Sequence, residues 1–146
     1  MIMSNKLMVK LQIPSEFGYE KVAISTAEVV AHKMGFVTDK IEDLKTAVGE
    51  ACSNAIEHGN SLNAETPVKI ILTFDHAAIT ITVIDQGYKT IPQTAPQILP
   101  TEDERPGFRG MGLFLIQMLM DKIEFISRPD YQAIEMTCFN PACAVV

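Results

Sequence analysis

Two strand-like segments joined by a very short connection constrain the fold of this chain most. "PVKIILTF" (67–74) and "AITITVID" (78–85) are rich in β-branched residues, and the second alternates apolar with polar side chains over most of its length. Only residues 75–77 lie between them, so the spacing predicts an antiparallel hairpin. Because an apolar sheet face must be covered, the rest of the chain has to supply a second layer.

The other periodic segments supply further strands and the helices of that second layer. Apolar residues at every second position predict strands at 6–13, 122–128 and 132–139. Apolar residues at helical spacing predict helices at about 16–34, 38–59 and 110–123. Their order predicts an α/β fold, a two-layer sandwich in which helices cover one face of a mixed, mainly antiparallel sheet. No repeat or linker divides the 146 residues, so we expect a single domain over 1–146.

The charge balance narrows the class of partner. The net charge of −6 argues against a nucleic-acid surface, which needs clustered Lys and Arg. No stretch approaches the roughly 20 apolar residues of a membrane span, and the first residues lack a leader pattern. We therefore expect no membrane contact and a cytoplasmic location.

Cys52, Cys138 and Cys143 lack metal-ligand spacing, and we expect the first two to be buried as small apolar side chains.

The segment "EACSNAIEHG" (50–59) carries polar residues at helical spacing. One side of its helix is apolar and predicted to be buried, through Ile41, Leu44, Val48, Ala51, Cys52 and Ala55. On another side, Glu50, Asn54 and His58 follow at four-residue steps. This row is either a solvated face or, because small residues surround it and its oxygens suit a hard cation, part of a magnesium site. For His58, a favourable interaction with the helix dipole is the simpler role.

Asp85 is the polar member of an otherwise apolar strand face. It has the same parity as Ile79, Ile81 and Val83, so we expect it to point into the same buried region. A carboxylate there needs a hydrogen-bond donor. Two donors stay open, namely a local turn into Gly87 or the amino group of a ligand such as adenine.

Glycines precede the last predicted helix in "RPGFRGMGLFLI" (105–116). Gly107, Gly110 and Gly112 would let backbone N–H groups approach an anion at a helix N-terminus, which makes the segment a candidate phosphate site. Arg105 and Arg109 would add positive charge, although a solvated loop explains them equally well. The long segment from about 86 to 109 has four prolines and little periodicity, so it is predicted to be a functional loop.

Together and in this order, "EACSNAIEHG", "DQG" and "GFRGMGLFLI" resemble the ATP-binding boxes shared by gyrase, a heat-shock chaperone, histidine kinases and MutL. More closely, the chain resembles the anti-sigma-factor serine kinases of bacterial stress and sporulation control, over essentially its whole length. The resemblance implies the Bergerat ATP-binding fold, with ATP and Mg²⁺ as cofactors. It departs from the fullest form of the family at Lys89, where many relatives have a second glycine after Gly87.

The resemblance also implies roles for individual residues. Glu50 would be the general base and Asn54 the magnesium ligand, while Asp85 would hold the adenine amino group and Thr137 would support adenine through a water. Residues 86–109 would form an ATP lid. Further nucleotide contacts are implied for His58, Gly87, Arg105 and Arg109, and the phosphate-binding hinge would comprise Gly107, Gly110, Met111, Gly112 and Leu113.

The implied activity is that of an anti-sigma regulatory factor. Such a protein phosphorylates a serine of an anti-anti-sigma antagonist and sequesters a sigma factor, and the resemblance also implies a homodimer. Two alternatives stay open: a nucleotide-gated binding module without turnover, and a switch kinase within a stress-sensing assembly.

Overall fold

The structure, a computed structural model, describes residues 5–86 and 109–143. Its strands are β1 (Leu7–Ile13), β2 (Val68–Phe74), β3 (Ala78–Asp85), β4 (Lys122–Ser127) and β5 (Gln132–Phe139). Its helices are α1 (Glu20–Lys33), α2 (Thr38–Asn54) and α3 (Arg109–Leu119). A π-helical turn (Ala55–Gly59) continues α2, and a short 3-10 turn (Pro141–Cys143) follows β5.

The five strands form one sheet in the order β1-β2-β3-β5-β4. All pairings between the described strands are antiparallel, so the parallel component of the predicted mixed sheet is not present among them. Hairpins cause this geometry for β2–β3 and β4–β5, because a short turn reverses the chain direction. At the predicted turn after β2, the side chain of Asp75 accepts hydrogen bonds from the backbone N–H groups of Ala77 and Ala78, at 2.8 and 3.0 Å.

The helices cover one face of this sheet, as the sequence predicts. Ile79, Ile81 and Val83 of β3 are buried in a core that α1, α2 and α3 share. The six apolar residues predicted for the buried side of α2 are all buried. This face of α2 thus fixes how the helix lies on the sheet, and with it the direction in which Glu50 and Asn54 point.

Cys52 and Cys138 are buried, as expected from their apolar surroundings. Burial raises the pKa of the Cys52 thiol to about 12, so the thiol stays protonated and inert at neutral pH. Within the described ranges, no helix is both long and apolar enough to cross a membrane.

The sheet core should carry much of the stability. Leu72 on β2 is fully buried, whereas Leu7 on β1 is 57% exposed. We expect Leu72→Ala to lower the free energy of unfolding by about 2–5 kcal/mol, because it leaves a cavity. The matched control Leu7→Ala should change it by about 0.5 kcal/mol or less. Urea denaturation measures both, and equal losses would contradict the burial of Leu72 and the exposure of Leu7.

Candidate functional site

Glu50 and Asn54 do not form a simple solvated helix face, because α3 packs across α2 where they lie. Asn54 is buried, with 6% of its surface exposed, and Glu50 is partly buried. Burial raises the pKa of the Glu50 carboxyl. The Nδ2 atom of Asn54 is buried without a hydrogen-bond partner among the described residues. Since an unpaired buried amide is costly, this arrangement points to a ligand rather than to folding stability.

Gly112 of α3 is the residue that lies against this pair. A Cβ atom added at Gly112 would lie 2.9 Å from Oε2 of Glu50 and 3.0 Å from Nδ2 of Asn54. These distances are shorter than ordinary van der Waals contacts, so a larger residue at this position would displace both side chains. The glycine that the sequence suggests for phosphate binding therefore also sets the spacing between α3 and α2.

A second glycine contact lies at the far end of the helical segment. Asp85, the last residue of β3, is buried, and a Cβ atom added at Gly59 would lie within 2.6 Å of both its carboxylate oxygens. Only glycine leaves room for the carboxylate here. Asp85 therefore points toward the helical layer, on the sheet face that the strand parity predicts.

The π-helical turn changes the predicted row of polar residues. Glu50 and Asn54 lie on regular α-helix, but the wider turn begins at Ala55, so His58 does not continue the four-residue row. The Nε2 atom of His58 lies 3.8 Å from Oε1 of Glu57. The turn ends with a backbone hydrogen bond of 2.8 Å from the N–H of Asn60 to the carbonyl of Ala55. π-turns of this kind occur often at functional sites.

Asn60 is a positioning residue that the sequence does not reveal. Its Oδ1 atom accepts a hydrogen bond of 2.8 Å from the backbone N–H of Gln86, directly after Asp85. Its Nδ2 atom donates to Oγ of Ser15 at 2.9 Å and to the carbonyl oxygens of Thr66 and Pro67. One buried amide thus joins the ends of β1 and β3 to the segment that leads into β2. This network holds the chain in place where it leaves Asp85.

The structure corrects the predicted role of Thr137. In the register of β3 and β5, Thr137 pairs with Thr80, and their hydroxyl oxygens lie 3.1 Å apart. Thr80 alternates with the buried residues of β3, so both threonines lie on the sheet face that the helices do not cover. Thr137 therefore lies on the opposite face from Asp85 and cannot reach a ligand held there.

The residue paired with Asp85 is Gln132, the first residue of β5, and the sequence analysis did not select it. Gln132 is buried, with 4% exposed, and its Oε1 atom has no hydrogen-bond partner among the described residues. A signal was present in the sequence, because Gln132 has the same strand parity as the apolar Ile134, Met136 and Cys138. A polar residue in that series matches the position of Asp85 in β3.

Several predicted residues lie outside the described part of the chain. These are Gly87, Arg105 and Gly107, together with most of the predicted lid. Arg109, Gly110 and Met111 form the first turn of α3, so their backbone lies at a helix N-terminus. Leu113 is fully buried in the core, so only its backbone is able to face a phosphate.

The donor set suits a magnesium ion that is held together with a nucleotide. No group of three or more His, Cys, Asp or Glu residues able to hold a metal occurs within residues 5–86 and 109–143. Magnesium bound with phosphates needs only one or two protein oxygens, because phosphate oxygens and waters fill its other positions. Asn54 carries one such neutral oxygen, Oδ1, in a side chain that lies with Glu50 against Gly112.

A cavity of about 690 Å³ opens beside Gly59 at the Asp85 end of the sheet. Its wall includes Gly59, Asn60, Gln86 and the β4–β5 turn at Pro129 and Asp130. Glu50 instead lines a shallower groove between α1 and α2. Open space thus lies beside Gly59 and beside Glu50, and a cavity of about 690 Å³ is large enough for a small ligand.

A family model described as "Histidine kinase-like ATPase domain" matches residues 13–138. The chain belongs to this family. The match includes Glu50, Asn54, Asp85 and Gly112, so the two glycine contacts described above lie within the family domain. The ATP-binding class predicted from the three sequence segments is thereby confirmed at the level of the family.

Relatives within this family carry a kinase name. The chain is 36% identical over 129 residues to "Serine-protein kinase RsbW" of Oceanobacillus iheyensis, which covers 84% of this chain and 80% of that protein. It is 29% identical over 125 residues to the protein of the same name from Bacillus subtilis, over 82% of this chain and 78% of that protein. These matches confirm the predicted serine kinase class.

Two solved structures have a similar fold. The RsbU and RsbW domains of a Mycobacterium tuberculosis protein superpose with a TM-score of 0.63 at 13% identity, over 90% of this chain and 31% of that chain. The SiaB–SiaC complex of Pseudomonas aeruginosa gives a TM-score of 0.56 at 10% identity, over 90% and 89%. The antiparallel sheet covered by helices is therefore shared with these solved structures.

The contact between Gly59 and Asp85 should tolerate no side chain. We expect Gly59→Ala to lower the free energy of unfolding by about 1–3 kcal/mol, because the new methyl group overlaps the carboxylate. The matched control is Gly49→Ala on the same helix, where the methyl group would meet only the side chain of Ile24, at 3.1 Å from Cδ1. A gain in helix propensity of up to ~1 kcal/mol offsets that contact. Urea denaturation compares them, and equal stabilities would contradict the close contact.

Proposed function

We propose that this protein is an anti-sigma regulatory factor whose ATP- and magnesium-dependent serine kinase activity phosphorylates an anti-anti-sigma antagonist. The observation that carries the proposal is the contact of Gly112 with both Glu50 and Asn54. It brings a partly buried carboxylate and a buried neutral amide together beside the first turn of α3. A base, a metal ligand and a phosphate-binding helix terminus are the parts that phosphoryl transfer requires.

Glu50 acts as the general base in this proposal. Phosphoryl transfer passes through a loose transition state, so the protein chiefly positions groups and balances charge. The Glu50 carboxylate accepts the proton of the serine hydroxyl as the new bond from the serine oxygen to the γ-phosphorus forms, while the bond from that phosphorus to the bridging oxygen of ADP breaks and ADP leaves with its electron pair. Partial burial raises the pKa of Glu50, and this shift toward neutral pH makes the carboxylate a better proton acceptor.

Asn54 supplies the protein oxygen for magnesium. When bound, the ion neutralises charge on the phosphates and fixes their position. A neutral amide holds a cation without adding a second negative charge beside Glu50 and the phosphates. The proposed ligand atom is Oδ1, whereas the unpaired, buried Nδ2 is a hydrogen-bond donor and would donate to a phosphate or water oxygen beside the ion.

The two ends of the helical segment match the two ends of ATP. Asp85 would accept a hydrogen bond from the adenine amino group at the Gly59 end. The backbone N–H groups of Arg109, Gly110 and Met111, in the first turn of α3, would bind phosphate oxygens near Glu50. The proposed lid over 86–109, with Gly87, Arg105 and Gly107, joins these two ends of the site along the chain.

The proposed partners follow from the family and from the charge of the chain. The relatives are named serine-protein kinases, which supports a protein substrate with a serine acceptor. The net charge of −6 supports protein partners rather than nucleic acid. We extend the proposal to sequestration of a sigma factor, to a homodimer, to a role in stress response and to a cytoplasmic location.

Glu50 should be needed for transfer but not for nucleotide binding. We expect Glu50→Gln to lower the rate of phosphate transfer from labelled ATP to an anti-anti-sigma protein by about 100-fold or more, because the proton acceptor is lost. The affinity for ATP, measured by calorimetry, should change little. The control Glu57→Gln, on the exposed side of the π-turn, should retain the wild-type rate.

Full transfer by Glu50→Gln would exclude Glu50 as the base. ATP binding without transfer by the wild type, across candidate antagonists from the same genome, would replace the kinase with a nucleotide-gated binding module.

Asn54 should determine the magnesium dependence of ATP binding. We expect magnesium to strengthen ATP binding by the wild type and to have a much smaller effect on Asn54→Ala, because the variant lacks the amide oxygen. Calorimetry with and without magnesium measures the ratio of the two Kd values. The control Asn63→Ala, at an exposed position, should keep the wild-type ratio. An unchanged ratio in Asn54→Ala would remove Asn54 from the metal site.

A further inference from the structure

Two aromatic side chains are exposed at the connection between β1 and α1. Phe17 is 51% exposed and Tyr19 is 43% exposed, and Val22, three residues further on in α1, is 49% exposed. Single exposed apolar residues are common on soluble proteins, but neighbouring ones form a patch that indicates an interaction surface. We call Phe17, Tyr19 and Val22 the aromatic patch.

Hydrogen bonds hold the aromatic patch in an ordered turn. Gly18, between the two aromatic residues, has a φ of +109°, a backbone conformation that suits glycine. Its N–H donates a hydrogen bond of 2.6 Å to Oε1 of Glu20, and the N–H of Tyr19 donates to the carbonyl of Glu16 at 3.3 Å. Because the turn is already formed, a partner that binds it has little chain entropy to remove.

The aromatic patch lies at one end of the groove that leads to Glu50. This groove, of about 410 Å³, lies between the two helices, and its wall includes Glu20 and Ile24 of α1 as well as Glu50 of α2. Glu20 directly follows Tyr19 in the chain, and its carboxylate accepts the hydrogen bond from Gly18. The turn that carries the patch is therefore joined to the wall of the groove.

Small residues keep the groove open beside the proposed base. Gly49 and Ser53 of α2 line it next to Glu50. On the α3 side, a Cβ atom added at Gly112 would lie 2.9 Å from Oε2 of Glu50, so that side is closely packed. With the phosphates bound at the first turn of α3, the groove is the open approach for a serine hydroxyl to the carboxylate.

We propose that the aromatic patch anchors the protein substrate, and that the acceptor serine reaches Glu50 through the groove beside it. The proposal rests on the proposed kinase function and adds the surface that selects the substrate. Aromatic anchors fill apolar pockets at the centres of protein interfaces, so the substrate needs such a pocket near its serine. A second copy of this chain on the patch would instead cover the end of the groove.

Truncation of the anchor should weaken substrate binding and leave the chemistry intact. Transfer from labelled ATP to the antagonist protein is measured for Phe17→Ala and Tyr19→Ala at saturating ATP. We expect each variant to raise KM for the antagonist about 10-fold, the effect of losing an aromatic anchor. The kcat and the Kd for ATP should stay within about twofold of the wild type, because only substrate binding is lost. The matched control Phe139→Ala removes a side chain that is 44% exposed at the end of β5, and it should keep the wild-type KM.

Three results would overturn the proposal. The first is a wild-type KM in both variants, or the same increase in Phe139→Ala. The second is a lower Tm or weaker ATP binding together with the higher KM, since the aromatic side chains would then stabilise the fold. The third is a change in molecular mass by analytical ultracentrifugation, since the patch would then join two copies of the chain.

The wild type separates this proposal from the proposed function. If it binds ATP but transfers phosphate to none of the candidate antagonists from the same genome, the kinase function is wrong and the proposed anchor falls with it. If it transfers phosphate and both alanine variants do so with the wild-type KM, the kinase function stands and only the anchor is wrong.

Discussion

The close approach of Gly59 to the carboxylate of Asp85 is the constraint on which the rest of the site depends. It fixes the end of the helical segment against the end of β3 at a separation that leaves no room for a side chain. The apolar side of α2 then determines where the rest of that helix lies on the sheet. Asp85, the π-turn and Asn60 are therefore parts of one rigid connection between the two layers. The position of Glu50 and Asn54 follows from that connection.

Gly112 makes a similar close approach to the last turn of α2, where Glu50 and Asn54 lie. A backbone without a side chain allows α3 to approach Glu50 and Asn54, and it leaves two polar groups beside the first turn of a helix. Core packing would favour an apolar residue at positions such as Asn54 and Gln132, and their amides have unpaired buried atoms. The protein thus holds polar groups where they lower stability, and this is the pattern expected of residues that serve a ligand.

Much of the fold could be predicted from the sequence because its signals are local. Alternation in β3 and helical spacing in α2 predict the buried faces, and the short connection at Asp75 predicts the hairpin. The register between β3 and β5 is not local, so the pairing of Asp85 with Gln132 required the structure. The role that the family resemblance implies for Thr137 does not fit the structure for a related reason, because the strand register places Thr137 on the sheet face opposite Asp85. The π-turn could not be predicted from the spacing of Glu50, Asn54 and His58, because four-residue steps also fit a regular α-helix.

The central claim is that α2 and its π-turn hold one nucleotide, with the base at Gly59 and the phosphates at Gly112. Amide spectra by nuclear magnetic resonance test it directly, because glycine N–H signals are well separated and the protein is only 16.1 kDa. Adding magnesium and a non-hydrolysable ATP analogue should shift the signals of Gly59 and Gly112 together, with one common Kd, while the signals of Gln12 and Val29 stay in place. Shifts at only one of the two glycines, or with two different Kd values, would contradict a single site that extends along residues 50–59.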